Sequence, residues 1–153
     1  MTNKTLKILK YPDKYLRKKT EEVKDFQDSE IAKLVSDMVK TMEAEKGIGL
    51  AAPQVGSNLR ICVVRVDNTV YALINPKIKS YSRKKEVFEE GCLSFPGKFF
   101  PIERHVKVKI RAKDIGGKKM KIKAEGLLAR ELQHEIDHLD GVLKIDRAVH
   151  PVK

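Results

Sequence analysis

The sequence predicts an α+β fold, and three observations predict it. Apolar residues recur every three or four positions in two segments, one near each end of the chain. Between them lie segments rich in β-branched residues, or segments in which apolar residues alternate with lysine and arginine. No internal repeat, low-complexity stretch or linker separates these segments, so the 153 residues read as one domain.

An extended start over Leu6 to Leu9 leads to a turn at Pro12-Asp13. The first helix is expected over Asp28 to Lys46, capped by Asp28 or Ser29. Ile31, Leu34, Val35, Met38, Val39 and Met42 share its apolar face. It ends where glycines enter in GIGLAAPQVG, a loop of small residues from Gly47 to Gly56. Ile61 to Val66 is almost continuously apolar and β-branched, as a buried strand is. Tyr71 to Ile78 forms a second strand. Val106, Val108, Ile110 and Ala112 alternate with Lys107, Lys109, Arg111 and Lys113; Met120, Ile122 and Ala124 alternate with Lys121 and Lys123. The link Asp114-Ile115-Gly116-Gly117 carries hairpin chemistry, so these last two strands pair antiparallel. The final helix runs from Gly126 to Asp140, and Gly141 stops it.

With 41% hydrophobic and 35% charged residues, the composition excludes a disordered chain. The net charge of +11 falls largely on outward strand faces, where it reads as solvated surface. Aromatics are only 6%, so dedicated nucleic-acid binding is not expected. Two cysteines are too few for a disulfide framework, and Cys62 reads as a small buried hydrophobe. The first residues lack the apolar core of a signal peptide, and no segment reaches the roughly 20 apolar residues of a membrane span. A cytoplasmic, reducing setting without a membrane partner is expected.

The chemistry concentrates in QHEIDHLDG, Gln133 to Gly141. At about 100° per residue, His134 and His138 lie about 40° apart, so one cation can meet both imidazoles. Glu135 flanks them without having to ligate and is placed to take a proton from water. A third ligand decides the reaction class. Lys144 stands where one group of metalloproteases has its third histidine, and a cation cannot ligate. His150 and Asp146 remain downstream, both in a surface tail. Upstream, EEGCLSFPG offers Cys92, just after a glycine and shortly before a Pro-Gly turn, and Cys92 is the favoured ligand. Two imidazoles and one thiolate leave a fourth position open, the arrangement of a catalytic site. The fold class becomes α+β with mostly antiparallel strands packed around a C-terminal metal-binding helix, and a helix near the N-terminus.

GIGLAAPQVG, EGCLS and QHEIDHLDG, in this order and spacing, resemble the three signature motifs of the peptide deformylases. ILKYPDKYLRK and the run from Arg104 to Gly116 are similar to that family as well, so the resemblance covers essentially the whole chain. It implies a hydrolase that removes the formyl group from N-terminal formylmethionine of newly made proteins and releases formate. It implies Cys92, His134 and His138 as ligands of one divalent metal, Fe(II) by family habit, with Zn, Ni or Co as alternatives. Glu135 would be general base and acid, while the Gln54 amide and the Leu93 backbone N–H would stabilise the oxyanion. Ile48, Gly49 and Gly91 would hydrogen-bond an extended substrate through the main chain, and Ile48, Phe88 and Leu127 would line the methionine pocket. The partner implied is an N-formylmethionyl peptide, with transient proximity to the ribosome. The chain after the metal helix looks too short for the helical extension by which some relatives dock there, so that contact is not predicted. Two neighbours complete the expectation. Glu131, one turn before His134, either borders the pocket or pairs with a surface lysine, the latter being favoured. Phe99 stands where several relatives have a substrate-contacting arginine, leaving Lys98 or Arg104 to supply charge at the site mouth.

Overall fold

The structure is a computed structural model and describes residues 5–149. Its centre is the strand Ile61–Val66 (β2), whose continuous apolar character follows from burial on both faces. Cys62 and Val64 point toward the C-terminal helix, while Ile61 and Val63 point toward the N-terminal one. A half-wet strand needs one apolar face; this one needs two.

The N-terminal helix, Ser29–Ala44 (α1), is capped by the Asp28 side chain, which accepts from the backbone N–H of Glu30. Its buried Ile31, Val35, Met38 and Met42 lie on the predicted face. Full burial of each such side chain contributes roughly 1.5–3 kcal/mol. The five-stranded sheet has the order β1-β2-β3-β6-β7, all neighbours antiparallel, from Gly49–Ala51 (β1), β2, Thr69–Tyr81 (β3), Lys107–Lys113 (β6) and Lys119–Glu125 (β7). A separate hairpin joins Lys85–Cys92 (β4) to Phe95–His105 (β5). Gly126–Leu139 (α2) packs its Ala129, Leu132, Ile136 and Leu139 on one face of the large sheet. A short helix, Lys144–Arg147 (α3), follows.

Several expectations change. Residues 6–9 join no sheet; Leu9 donates its N–H to the Gln54 carbonyl instead. GIGLAAPQVG is more than a loop: β1 pairs with β2, and a 3-10 turn follows at Ala52–Val55. β3 extends beyond Tyr71 to Ile78 at both ends and accommodates a bulge at Asn75, whose side chain bonds both backbone groups of Val23. The β4–β5 hairpin is new. Pro96 and Pro101 lack the N–H of a ladder donor, yet a two-stranded ribbon consists of edge strands that tolerate proline. Its reversal falls at Leu93-Ser94, not at Pro96-Gly97, which lies within an irregular stretch of β5 opposite Gly91. The β6–β7 hairpin matches expectation, with Gly117 at φ +85° and the Asp114 carboxylate accepting from Gly116 and Lys118.

Candidate metal centre

Two ends of secondary structure build the site. α2 ends in a Schellman motif: Gly141 donates to the His138 carbonyl and Val142 to that of Asp137, with Gly141 at φ +74°. Gln133 latches the same helix to the end of β5 through both backbone groups of His105. β4 meanwhile ends at Cys92, immediately before the hairpin reverses. These constraints bring Cys92 Sγ to 3.3 Å from His138 Nε2, and the ligand atoms of Cys92, His134 and His138 lie within 4.8 Å of one another. His134, Glu135 and His138 are all buried.

The imidazoles are aimed from behind. His134 Nδ1 lies 3.1 Å from the Glu90 carboxylate and donates to it, which leaves Nε2 for the site. Glu90 also accepts two bonds from Arg104 and one of 2.6 Å from Arg130. Burial opposes a charge on Glu90, but the His134 and Arg104 donors outweigh it and hold its carboxyl far below the usual carboxylate range. Arg104 in turn bonds Asp137 at 2.6 Å. One chain of charge therefore runs across β4, β5 and α2 and fixes a metal-facing ring.

Burial also opposes charge on Cys92, yet His138 and His134 bring its thiol well below the ordinary value. Burial disfavours protonated His134, but Glu135, Cys92 and Glu90 overcome it and raise its affinity for the proton. Both shifts favour charge on this pair, and a divalent cation can take the place of the proton between them. Glu135 is pushed up to about 7, chiefly by burial and further by Glu131 and Cys92, against the pull of His134 and His138. Its Oε1 has no hydrogen-bond partner among the described residues, nor has Nδ1 of His138. A soft donor beside two imidazoles suits a transition metal, and an unpartnered carboxylate oxygen beside them suits a water held there; the residues fit a metal site.

Gln54 is buried behind Cys92. Its Oε1 accepts from Ala51, so its Nε2 must face the site, where it reaches Ser94 Oγ at 3.0 Å and Cys92 Sγ at 3.5 Å. Ser94 passes the chain on to the Leu9 carbonyl. A cavity of about 620 Å³ opens over this ring and is lined by Ile48, Gly49, Gly91, Leu93, Leu127 and Glu135, among others. Phe88 does not line it: its ring is 56% exposed and stacks over the Arg130 guanidinium at 5.1 Å. Arg104 is withdrawn from the mouth, being only 5% exposed and bound to Glu90 and Asp137, whereas Lys98 and Phe99 do border the cavity. Glu131 is not a surface residue; it is buried in the cavity wall one turn before His134. Asp146 pairs with Arg17 away from the cavity, and His150 lies outside the described residues.

Sequence reasoning missed four residues. Glu90, Arg130 and Ser94 support the ligands, and Lys144, dismissed as a non-ligand, is buried and donates through Nζ to the Gly91 carbonyl. Only Glu90 left a signal, a carboxylate two residues before the cysteine.

A thiolate and two imidazoles converging beneath a groove, beside a carboxyl group that titrates near neutrality, define a metal-dependent hydrolase. The comparisons narrow the class. The polypeptide deformylase family model matches residues 5–153. Peptide deformylase of Dictyoglomus thermophilum is 46% identical over 142 residues, covering 93% of this chain and 92% of its own. Peptide deformylase 1 of Bacillus cereus is 48% identical over 140 residues, covering 90% and 88%. The crystal structure of peptide deformylase from Thermotoga maritima superposes with a TM-score of 0.93 at 42% identity, covering 95% of this chain and 99% of that one. The chain belongs to the polypeptide deformylase family.

Proposed function

We propose that the groove between Ile48 and Leu127 receives the N-terminus of a formylated peptide and that Glu135 moves the protons of its hydrolysis. The activity is that of the family, removal of the formyl group from N-formylmethionyl peptides with release of formate. One observation carries the assignment of roles. The Glu135 carboxyl, without a partner on Oε1, lines the groove within 4.8 Å of a ring nitrogen of His134, the histidine that also converges with Cys92 and His138.

When bound, a divalent cation held by Cys92, His134 and His138 supplies Lewis acidity that makes water nucleophilic near neutral pH. Fe(II) is the ion expected, with Zn, Ni or Co as substitutes; the thiolate and two imidazoles support any of these. Glu135 takes the proton from the attacking water. As the formyl carbon becomes tetrahedral, the Gln54 amide and the Leu93 backbone N–H donate to its oxyanion; the fixed orientation of Gln54 Nε2 supports that role. Glu135 then gives its proton to the leaving amine. Ile48 and Gly49 continue the edge strand β1 along the groove and Gly91 faces it, which suits recognition of an extended main chain by strand addition. Leu127 and Ile48 are the apolar walls for the methionine side chain, with Phe88 reaching them only by moving off Arg130.

We place the reaction in the cytoplasm, in transient proximity to the ribosome where such substrates arise. Both cysteines are unpaired, as a thiolate ligand requires, and among the described residues no helix is long and apolar enough to cross a membrane. The test is formate release from a short formyl-Met peptide by protein loaded with Fe(II), Ni(II) or Co(II). Release that tracks metal content is expected; no release with any of the three ions refutes the reading.

A further inference from the structure

α1 covers the β1–β3 half of the sheet face opposite α2, and the other half of that face is almost wholly cationic. Its outward positions are Lys107, Lys109, Arg111 and Lys113 on β6, and Lys119, Lys121 and Lys123 on β7. Glu125 alone interrupts the series, 3.7 Å from Lys107. The register places Lys109 opposite Lys123, Arg111 opposite Lys121 and Lys113 opposite Lys119, while Lys77 of β3 faces Arg111 from the other side.

Like charges directly opposite one another destabilise a sheet, and a face that served solubility alone would intersperse both signs. Here the repulsion is repeated three times along one ladder. The cations also converge. A hollow of about 520 Å³ is lined by Lys77, Lys79, Arg111, Lys113, Lys119 and Lys121. Its one acid, Glu22, is taken up by Lys77 at 3.1 Å. Among the described residues no ion pair engages Lys79, Lys109, Arg111, Lys119, Lys121 or Lys123.

We propose that this half-face docks on the phosphate backbone of structured RNA. A strand offers a cation every ~6.8 Å along its length and the next strand repeats the series ~4.8 Å away, a rigid two-dimensional array suited to a polyphosphate rather than to one small anion. No apolar side chain is interleaved among the outward cations to enter a bilayer, which disfavours a lipid surface. The scarcity of aromatics rules against reading unstacked bases, but backbone docking needs none and is independent of sequence. The face lies across the sheet from α2, so a docked RNA leaves the groove open.

The experiment measures binding of metal-loaded, full-length protein to a labelled RNA duplex of about 20 base pairs at several salt concentrations. The comparison is the triple variant Lys109→Gln, Lys121→Gln, Lys123→Gln. Wild type should bind with a log K that falls steeply with log salt. The variant should bind at least about tenfold more weakly near 100 mM salt, with a slope shallower by about 2 to 3, near 0.9 for each lost phosphate contact. Its kcat/KM on a short formyl-Met peptide should equal that of wild type, and its thermal stability should not fall, because two of the three like-charge pairs are relieved. Equal affinity and equal slope for the two proteins overturn the proposal. So does tighter binding to vesicles rich in phosphatidylserine that the RNA duplex fails to displace.

Discussion

Gly49 approaches Glu135 so closely that a β-carbon at Gly49 would stand 2.2 Å from the carboxylate oxygen Oε2. Under the proposed function glycine there is a condition of the chemistry, since the edge strand offered to the substrate passes directly against Glu135. Gly49→Ala should therefore push Glu135 out of place. We expect kcat/KM to fall at least about 100-fold, since small displacements of a reacting group carry losses of that order. Metal content should stay unchanged, because the three atoms nearest the added β-carbon all belong to Glu135. Elemental analysis beside steady-state kinetics checks both halves.

Glu135→Gln separates the base from the ligands. Metal content should persist and turnover should drop about 100- to 10,000-fold, the span attributed to general acid–base catalysis. Loss of the metal in this variant would make Glu135 a ligand and contradict its assignment.

The raised Glu135 carboxyl also has a stability signature in the metal-free protein. Its ordinary value is 4.5 and its folded value about 7, so between those limits the folded state holds a proton that the unfolded state has released. Stability from this group should thus fall as pH rises from 4.5 to 7, by at most about 3 kcal/mol. Glu90 acts in the opposite sense and lower down, its depressed carboxyl adding stability that is lost as pH falls below the ordinary carboxylate range. Thermal unfolding in chelator across pH 4 to 8 (about four units) should show the Glu135 slope in wild type and not in Glu135→Gln. In the loaded enzyme a nearby cation favours the carboxylate, so the acid limb of kcat/KM should lie below pH 7, under the value of about 7 in the metal-free state.

Glu90→Gln leaves Arg130 buried without a carboxylate partner, leaves Arg104 only Asp137, and deprives His134 of its carboxylate. A cost of about 3–5 kcal/mol in stability is expected from the broken buried pairs. Metal affinity should fall about 10- to 100-fold from the lost orientation of His134. Chemical denaturation and a competitive metal titration read the two effects separately.

Lys144 lies within the fold, its amine turned to the Gly91 carbonyl. Burial lowers its proton affinity, while Cys92, Glu90, Glu131 and Glu135 act to keep it charged. Lys144→Met retains the stem and removes the donor to the carbonyl of Gly91, a residue that lines the groove. KM for a formyl-Met peptide should rise about tenfold, as expected for a charged hydrogen bond of 1.5–3 kcal/mol acting through Gly91 (roughly), with kcat nearly unchanged. A fall in kcat at constant KM would place the effect on the reacting atoms instead.

The sequence by itself determined the periodic elements and singled out Cys92, His134 and His138, which the fold brings within 4.8 Å of one another. α1, β2, the β6–β7 hairpin and α2 declare themselves through spacing that a helix or a half-buried strand imposes locally, and His134 and His138 share a face because 3.6 residues make a turn. Cys92 stands out by its place after a glycine, and Gln54 and Gly49 by their resemblance to a family motif; the fold sets Gln54 Nε2 3.5 Å from Cys92 Sγ and Gly49 against Glu135. Tertiary structure alone decided what depends on distant neighbours. By sequence Glu131 leans toward a surface pairing, Arg104 is offered to the site mouth and Lys144 only fails as a ligand, yet long-range packing buries all three. Phe88 is apolar and read as a pocket wall, yet the hairpin turns it out onto Arg130. Local periodicity cannot report such outcomes, because the free energy of a buried charge is set by partners far away in the chain, as Glu90 and Asp137 are for Arg104.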